Sequence, residues 1–276
     1  MAKKSILISG CSTGIGLSSA RLMKEKGWRV FATARTQEDL QRLESVEGVE
    51  AVQLELSDAQ SISDCGDAVL EATNGKLDAL FNNAAYGQVG AVEDLSAACL
   101  RQQIEVNLIG THDLTCRFLP AMRQAGAGRI VQCSSVLGLV SAPYRGAYCA
   151  SKFALEALSD SLRWELSGTG IHVSLIEPGP IATNFVANVL ANFRQNINFE
   201  SSPHRDVYKQ RMAVMERGGK TMFKLPPEAV AKKLLHAVES SRPQLRYYVT
   251  TPTYLAATAK RVLPGRVLDS LLIRGI

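Results

Sequence analysis

Short runs rich in apolar and β-branched residues alternate with longer helix-patterned segments along most of the chain. This alternation constrains the fold more than any other feature. The runs at 5–9, 29–33, 49–56, 77–82, 129–134, 172–177 and 245–250 read as strands, and 17–26, 61–72, 98–123, 147–167 and 227–240 read as helices. Repeated strand–helix–strand units need crossover connections, which predicts a mostly parallel sheet covered by helices on both faces. Runs such as Ile130-Val131 and Val173-Ser174-Leu175-Ile176 suit strands buried on both sides. A doubly wound α/β sandwich of three layers, built on seven mainly parallel strands, is expected.

The length of 276 residues fits one domain spanning 1–276. With 46% hydrophobic and 21% charged residues the chain is not disordered, collagen-like or a disulfide miniprotein. No apolar run approaches the roughly 18–20 residues that cross a bilayer. Lys3-Lys4 leads directly into the short run at 5–8, so no cleavable signal is expected. Cysteines 11, 65, 99, 116, 133 and 149 form no C-x-x-C pair, and no Asn-x-Ser/Thr site occurs. Both facts suit a cytoplasmic protein whose cysteines are small buried hydrophobes. Histidines 112, 172, 204 and 236 have no ligand spacing, and no metal site is expected. Of the net charge of +5, +3 falls within 254–276, from Lys260, Arg261, Arg266 and Arg274 against Asp269. The remaining chain carries no basic stripe, and nucleic-acid binding is not expected.

The alternation fails between 184 and 225. That stretch holds Phe185, Phe193, Phe199 and Phe223 with Met212, Met215 and Met222. It follows the sixth strand, where an open α/β sheet leaves a crevice beyond its carboxyl ends. Two readings stand: extra helices added to the core, or a movable apolar lid over a substrate.

Ser9-Gly10-Cys11-Ser12-Thr13-Gly14-Ile15-Gly16 follows the first strand and opens a helix. Glycines permit a tight turn and close backbone approach to a pyrophosphate, and free N–H groups at a helix start favour an anion. The spacing is G-x-x-x-G-x-G with no Gly-Lys-Ser/Thr after it, which excludes a nucleoside-triphosphate P-loop. A Rossmann-like dinucleotide site fits. Gly10 to Gly14 also match the G-x-S-x-G elbow of serine hydrolases, with Ser12 as nucleophile. That alternative needs more strands upstream and a late histidine, for which His236 is the only candidate. The second strand ends Val30-Phe31-Ala32-Thr33-Ala34-Arg35. Ala34 offers no carboxylate for a ribose 2′-hydroxyl, whereas Arg35 offers a fork for a 2′-phosphate, which favours NADP over NAD. Thr36 with Asp39 resembles a helix N-cap pair.

Tyr148-Cys149-Ala150-Ser151-Lys152 places a phenol and an ammonium four apart, on one face of a helix. Phenols titrate near pH 10. A cation about 4 Å away favours the phenolate by roughly 4 kcal/mol at an effective dielectric of about 20. That corresponds to a lowering of up to about 3 pH units, within reach of general acid/base work. Ser134-Ser135 ends the fifth strand, at the edge where ligands bind, and 136–147 crosses from there to the tyrosine.

Together these motifs resemble the short-chain dehydrogenase/reductase family over roughly residues 4–185. The shared set is Gly10/Gly14/Gly16, Asn82-Asn83-Ala84-Ala85, Asn107, Ser135–Tyr148–Lys152, and Pro178-Gly179 with Thr183. The glycine turn and the Arg35 strand resemble the NADP-dependent branch acting on steroids, retinoids and other hydrophobic alcohols or carbonyls. The resemblance implies that Tyr148 exchanges the hydroxyl proton, Ser135 orients the carbonyl oxygen, and Lys152 binds the nicotinamide ribose. It implies a water-mediated proton route supported by Asn107. Cofactor contacts are implied for Gly10, Ser12, Thr13, Gly14, Ile15, Gly16, Arg35, Glu55, Leu56, Asn83, Tyr148, Lys152, Pro178, Gly179, Ile181 and Thr183. Three departures occur: Ser9 replaces the common Thr, Ala85 the common Gly, and Glu55 the common Asp near adenine. The Leu56 backbone is therefore the firmer adenine contact.

The reaction so implied is hydride transfer between NADP(H) and a hydrophobic aldehyde or ketone, or its alcohol. A non-catalytic NADPH-binding redox sensor is the third reading. The resemblance also implies a homodimer or homotetramer through the helices at 98–123 and 147–167. In the extension at 251–276, Val267, Leu268, Leu271 and Leu272 share one helical face flanked by Arg266 and Arg274. That face either packs on protein or lies on a membrane surface.

Overall fold

The structure, a computed structural model, describes residues 3–217 and 222–275, with side chains up to Ile273 outside the gap. Residues 218–221 of the 184–225 stretch and the Arg274 side chain lie outside the described residues. The strands are β1 (Ser5–Ile8), β2 (Arg29–Ala34), β3 (Glu50–Gln53), β4 (Ala79–Asn82), β5 (Gly128–Cys133), β6 (Ile171–Glu177) and β7 (Arg246–Tyr248). They form one sheet in the order β3-β2-β1-β4-β5-β6-β7, all pairs parallel. The strand order reverses between β1 and β4, and ligands of such sheets sit at that switch point.

The helices are α1 (Gly14–Glu25), α2 (Gln37–Arg42), α3 (Ala59–Ala72), α4 (Ala97–Ile104), α5 (Gly110–Ala125), α6 (Gly146–Glu165), α7 (Phe185–Asn196), α8 (Arg205–Glu216), α9 (Glu228–Glu239), α10 (Thr251–Val262) and α11 (Gly265–Gly275). Strand alternation sends Ile6 and Ile8 to one face, where they pack with Met23 of α1 and with Val230 and Leu234 of α9. Leu7 points to the other, with Val69 of α3 and Leu114 and Phe118 of α5. This is the three-layer arrangement that the alternation requires.

Four expectations need correction. The run at 49–56 forms a strand only over Glu50–Gln53, because β3 is an edge strand with β2 as its sole partner. The helix expected over 98–123 is interrupted by a π-helical segment, Glu105–Ile109. Its continuation begins at Gly110, where a Cβ would lie 1.9 Å from the Leu56 carbonyl oxygen, so this close approach needs glycine. The cysteines are not uniformly buried: Cys116 is exposed and Cys99 half-buried, although all six are free. Finally, α2 went unpredicted, although its Thr36 cap forms as expected, accepting from the Asp39 amide at 3.3 Å.

The 184–225 stretch contributes α7, a short turn at Phe199–Ser201, and α8. Of its described side chains only Leu225 packs against a main core. Val189, Phe193, Ile197 and Tyr208 form a separate cluster with Val89 and Ala91, flanked by Tyr144, Phe185, Phe199, Met212 and Met215. Met222 and Phe223 remain exposed. At the C-terminus Leu272 packs on Val136, Leu137, Val140, Cys149 and Ala256. Val267 and Leu271 on the same helix are about half exposed, at 48% and 54%.

Candidate active site

The glycine turn sits at the switch point between β1 and β4. Gly10 (φ +73°) and Gly14 (φ +60°) adopt left-handed backbone that other residues resist. Gly16 is needed for space, since a Cβ there would lie 2.1 Å from the Gly10 carbonyl oxygen. The turn is fastened to β4 by hydroxyl and amide groups. Ser9 Oγ accepts from the Asn83 and Ala84 amides, both at 2.9 Å, so the serine fills the role of the more usual threonine. Asn83 Nδ2 donates to the carbonyls of Ser9 at 2.9 Å and Gly10 at 3.2 Å. Asn83 thus shapes the turn from behind.

Thr13 precedes α1 without capping it through its side chain, and the first turn of α1 holds no acid. The α1 amides around Ile15 are therefore available to an anion. Ser12 and Thr13 form the outer lip, and Arg42 of α2 donates to the Ser12 carbonyl at 2.5 Å. Sequence reasoning missed Arg42, which acts through the backbone. Ser12 Oγ bonds no histidine or acid among the described residues, and His236 Nδ1 lies 2.8 Å from the Tyr247 hydroxyl. The hydrolase reading lacks its nucleophile–base pair.

Arg35, at the end of β2, is 77% exposed, 3.7 Å from Glu55. Glu55 Oε1 accepts from the Ser57 amide at 3.2 Å, and Leu56 beside it is buried. The residues here fit a dinucleotide phosphate: a turn with three glycines where Cβ atoms would crowd it, open helix amides, and an exposed guanidinium.

At the other side of the switch point, Ser135 caps a short turn, its Oγ accepting from the Leu137 amide at 3.1 Å. Tyr148 lies two residues into α6, with its hydroxyl in reach of Ser135. Its ring meets Phe185 of α7 edge-on, centroids 5.7 Å apart. Lys152, one turn on, is 3% exposed and donates to the Cys133 carbonyl at 2.7 Å. Its ammonium is 5.8 Å from the centre of the Tyr148 ring. The expected lowering of the Tyr148 pKa by Lys152 does not occur. Burial dominates and pushes the phenol well above its usual value, while the Ser135 hydrogen bond and Arg145 pull it down. Burial likewise lowers the Lys152 pKa. Local spacing on a helix therefore supplied the geometry but missed the desolvation.

Asn107 falls in the π segment, a distortion frequent at functional sites. Its side chain accepts from the Tyr86 amide at 3.0 Å and donates to the Tyr86 carbonyl at 2.9 Å and to Ser151 at 3.2 Å. It ties the loop after β4 to the helix of Tyr148.

The turn after β6 faces the glycine turn. The buried Pro178 accepts from the Val136 amide at 2.8 Å, and a Cβ on Gly179 would meet the Thr250 hydroxyl at 2.1 Å. Ile181 bridges to Leu225. Thr183 Oγ1 accepts from the Phe185 amide at 3.3 Å, and its methyl lies 3.0 Å from where a Gly14 Cβ would stand. Behind this turn Arg246 holds Glu177 (2.7 Å), Asp160 (2.7 Å) and Glu156. Burial, reinforced by Glu156 and opposed by Arg246, pushes Glu177 up to about 8.

Arg145 was also missed. It is the only charged residue in the crossing 136–147, which is the signal that would have found it. It stands at the start of α6, half-buried, beside Tyr144, whose φ of +66° is unusual outside glycine.

A family model described as short chain dehydrogenase matches residues 4–193. The uncharacterized oxidoreductase YbbO of Escherichia coli (strain K12) is 45% identical over 98% of this chain and 94% of its own. Human 17-beta-hydroxysteroid dehydrogenase type 1 is 35% identical over 91% of this chain and 78% of its own. Human retinol dehydrogenase 8 is 33% identical over 89% and 81%. Among solved structures, a short-chain dehydrogenase from Streptomyces avermitilis superposes with a TM-score of 0.81 at 29% identity, covering 98% and 95% of the two chains. One from Burkholderia phymatum in complex with NAD gives 0.79 at 26% identity over 99% and 96%. An actinorhodin polyketide ketoreductase with NADPH gives 0.73 at 27% identity over 90% and 95%.

Proposed function

The chain belongs to the short-chain dehydrogenase family, and from that premise we propose an NADP(H)-dependent oxidoreductase that interconverts a hydrophobic aldehyde or ketone and its alcohol. The observation that carries this reading is the convergence of Ser135, Tyr148 and Lys152 on one side of the switch point, opposite the glycine cradle. When bound, the nicotinamide cofactor supplies or accepts the hydride.

The residues of the cradle, Gly10 to Gly16 with Ser12, Thr13 and Ile15, bind the pyrophosphate through backbone amides. Arg35 takes the 2′-phosphate, and Glu55, Leu56 and Asn83 border the adenosine half. Pro178, Gly179, Ile181 and Thr183 flank the nicotinamide, and Lys152 turns towards its ribose. NADP rather than NAD is supported by the absence of an acid at the end of β2 and by the exposed guanidinium there.

Ser135 holds the substrate oxygen against Tyr148. Because burial raises its pKa, Tyr148 is a protonated phenol at neutral pH, the form that donates a proton. That favours reduction of the carbonyl; oxidation needs the phenolate and speeds up as pH rises. Asn107 fixes the backbone along the route by which the proton is replaced. Residues 184–225 act as the lid, and the extension 251–276 completes a single domain.

Pairing into a homodimer or homotetramer through α5 and α6 belongs to the same proposal, and the exposed Leu158 and Trp164 on α6 support it. Six free thiols suit the cytoplasm. No helix among the described residues is long and apolar enough to cross a membrane.

The test is Tyr148→Phe, assayed by NADPH absorbance on a carbonyl panel. Turnover should fall by about 100-fold or more, as expected for removing a general acid, while NADPH binding by fluorescence persists. Retained turnover overturns the role of Tyr148, and equal use of NADH by the unmodified protein overturns the NADP assignment.

A further inference from the structure

Eight arginines among the described residues are half-buried: Arg29, Arg42, Arg117, Arg129, Arg145, Arg163, Arg211 and Arg246. Six of them are held by carboxylates or carbonyls. Arg211, on α8, lies over the Tyr144 ring with its guanidinium carbon 4.3 Å from the centroid. Arg145 makes no hydrogen bond, ion pair or ring contact with a described group through its side chain. It stands three residues before Tyr148 on the same helix.

A guanidinium remains charged at any ordinary pH. Partial burial without a counter-ion is costly, and proteins keep such a charge where something else completes it. Among the described residues no carboxylate or carbonyl does so for the Arg145 side chain. The groups that act on its charge are the Tyr148 and Cys149 side chains and the like charge of Arg211, with no carboxylate among them. Arg211, seated on the ring of Tyr144 next to Arg145 in sequence, is thus close enough to add a like charge, and no acid is among the groups that act on Arg145.

The walls beside this charge are apolar. Phe185 covers Tyr148, and Tyr144 belongs to the cluster of Val89, Val189 and Phe193. The ligand that suits both features has an apolar body and an anionic end. A planar carboxylate matches the guanidinium fork with two parallel hydrogen bonds.

We propose that the substrate is an oxo carboxylic acid with an apolar body, whose carboxylate is received by Arg145 while Arg211 completes the positive rim. This names the substrate class within the reading above and rests on it for the reaction, but the anion site itself can be examined without turnover.

The experiment uses the full chain and matched pairs of ω-oxo fatty acids and their methyl esters over a series of chain lengths, with NADPH. Unmodified protein, Arg145→Gln and Arg145→Lys are compared, and binding of decanoate and of decanol is measured by calorimetry on each. One charged hydrogen-bonded contact predicts a kcat/KM ratio of acid to ester of about 10 or more. That ratio should fall to about 1 in R145Q and be partly kept in R145K, with decanoate affinity following the same order. Equal use of acid and ester by the unmodified protein, or a preference that survives R145Q, overturns the proposal. If no carbonyl is reduced but decanoate binds in an Arg145-dependent way, the anion site stands and the reductase reading falls. If esters are reduced while decanoate binds no better than decanol, the reductase reading stands and the anion site falls.

Discussion

The two sides of the cleft are held by different kinds of interaction. On the cradle side, position is set by main-chain groups: left-handed glycines, the Ser9 hydroxyl bridging two amides, and Asn83 holding two carbonyls. On the side closed by α7 and α8, position is set by side chains from distant segments. Phe193 and Tyr208 pack on Val89 and Ala91, Tyr208 donates to Asp94 and accepts from the Ala91 amide at 2.7 Å, and His204 meets Glu93 at 2.6 Å. A backbone-built site tolerates little change in shape. One built by a small separate cluster can open without disturbing the sheet, because its contacts with the main cores are few.

The most severe break in this contrast is Phe193→Ala. Removing a fully buried Phe costs about 3–5 kcal/mol, and the loss should stay local. Hydrogen exchange across 185–216 accelerates and KM for the carbonyl rises, while NADPH affinity holds. A parallel fall in NADPH affinity would show that the two sides are not separable. Gly16→Ala makes the converse cut. Its Cβ has no room beside the Gly10 carbonyl, and forced overpacking costs about 1–3 kcal/mol. NADPH titration should fail first, with the melting temperature lowered and exchange in 185–216 unaltered.

A pH-dependent effect sharpens the comparison at the seam, where Glu177 leads from β6 into the turn at Pro178. Its carboxyl is raised from about 4.5 to about 8 by burial next to Glu156. The folded chain keeps a proton that the unfolded chain releases between those values, so this group's stabilising contribution is complete below about 4.5 and lost as pH rises through about 8. Glu177→Gln, which mimics the protonated form, should flatten the decline of melting temperature over that window. An unchanged slope would assign the decline to other groups.

The same contrast explains how far the sequence could be read. Parallel strands buried on both faces are apolar runs, so all seven were visible, although both edge strands, β3 and β7, and the start of β4 were drawn too long. The cradle was legible because glycine spacing is itself the structural requirement. The π interruption at 105–109 was not, since the helical pattern passes through Asn107 without a break; it ends beside Gly110, where the Leu56 carbonyl approaches. Tyr148 and Lys152 were visible as a pair, but the rise in the phenol's pKa comes from burial by elements far along the chain, including Phe185. Arg145 carried a sequence signal, as the one charge in the crossing 136–147, but its half-burial without a carboxylate among the described groups that act on it is visible only in three dimensions.

Leu272 of α11 packs with Val136, Leu137 and Cys149, next to the Ser135 turn, and no residue of the glycine turn belongs to that cluster. Slackening α11 should therefore be felt at the hydroxyl set and leave the backbone-built cradle as it is.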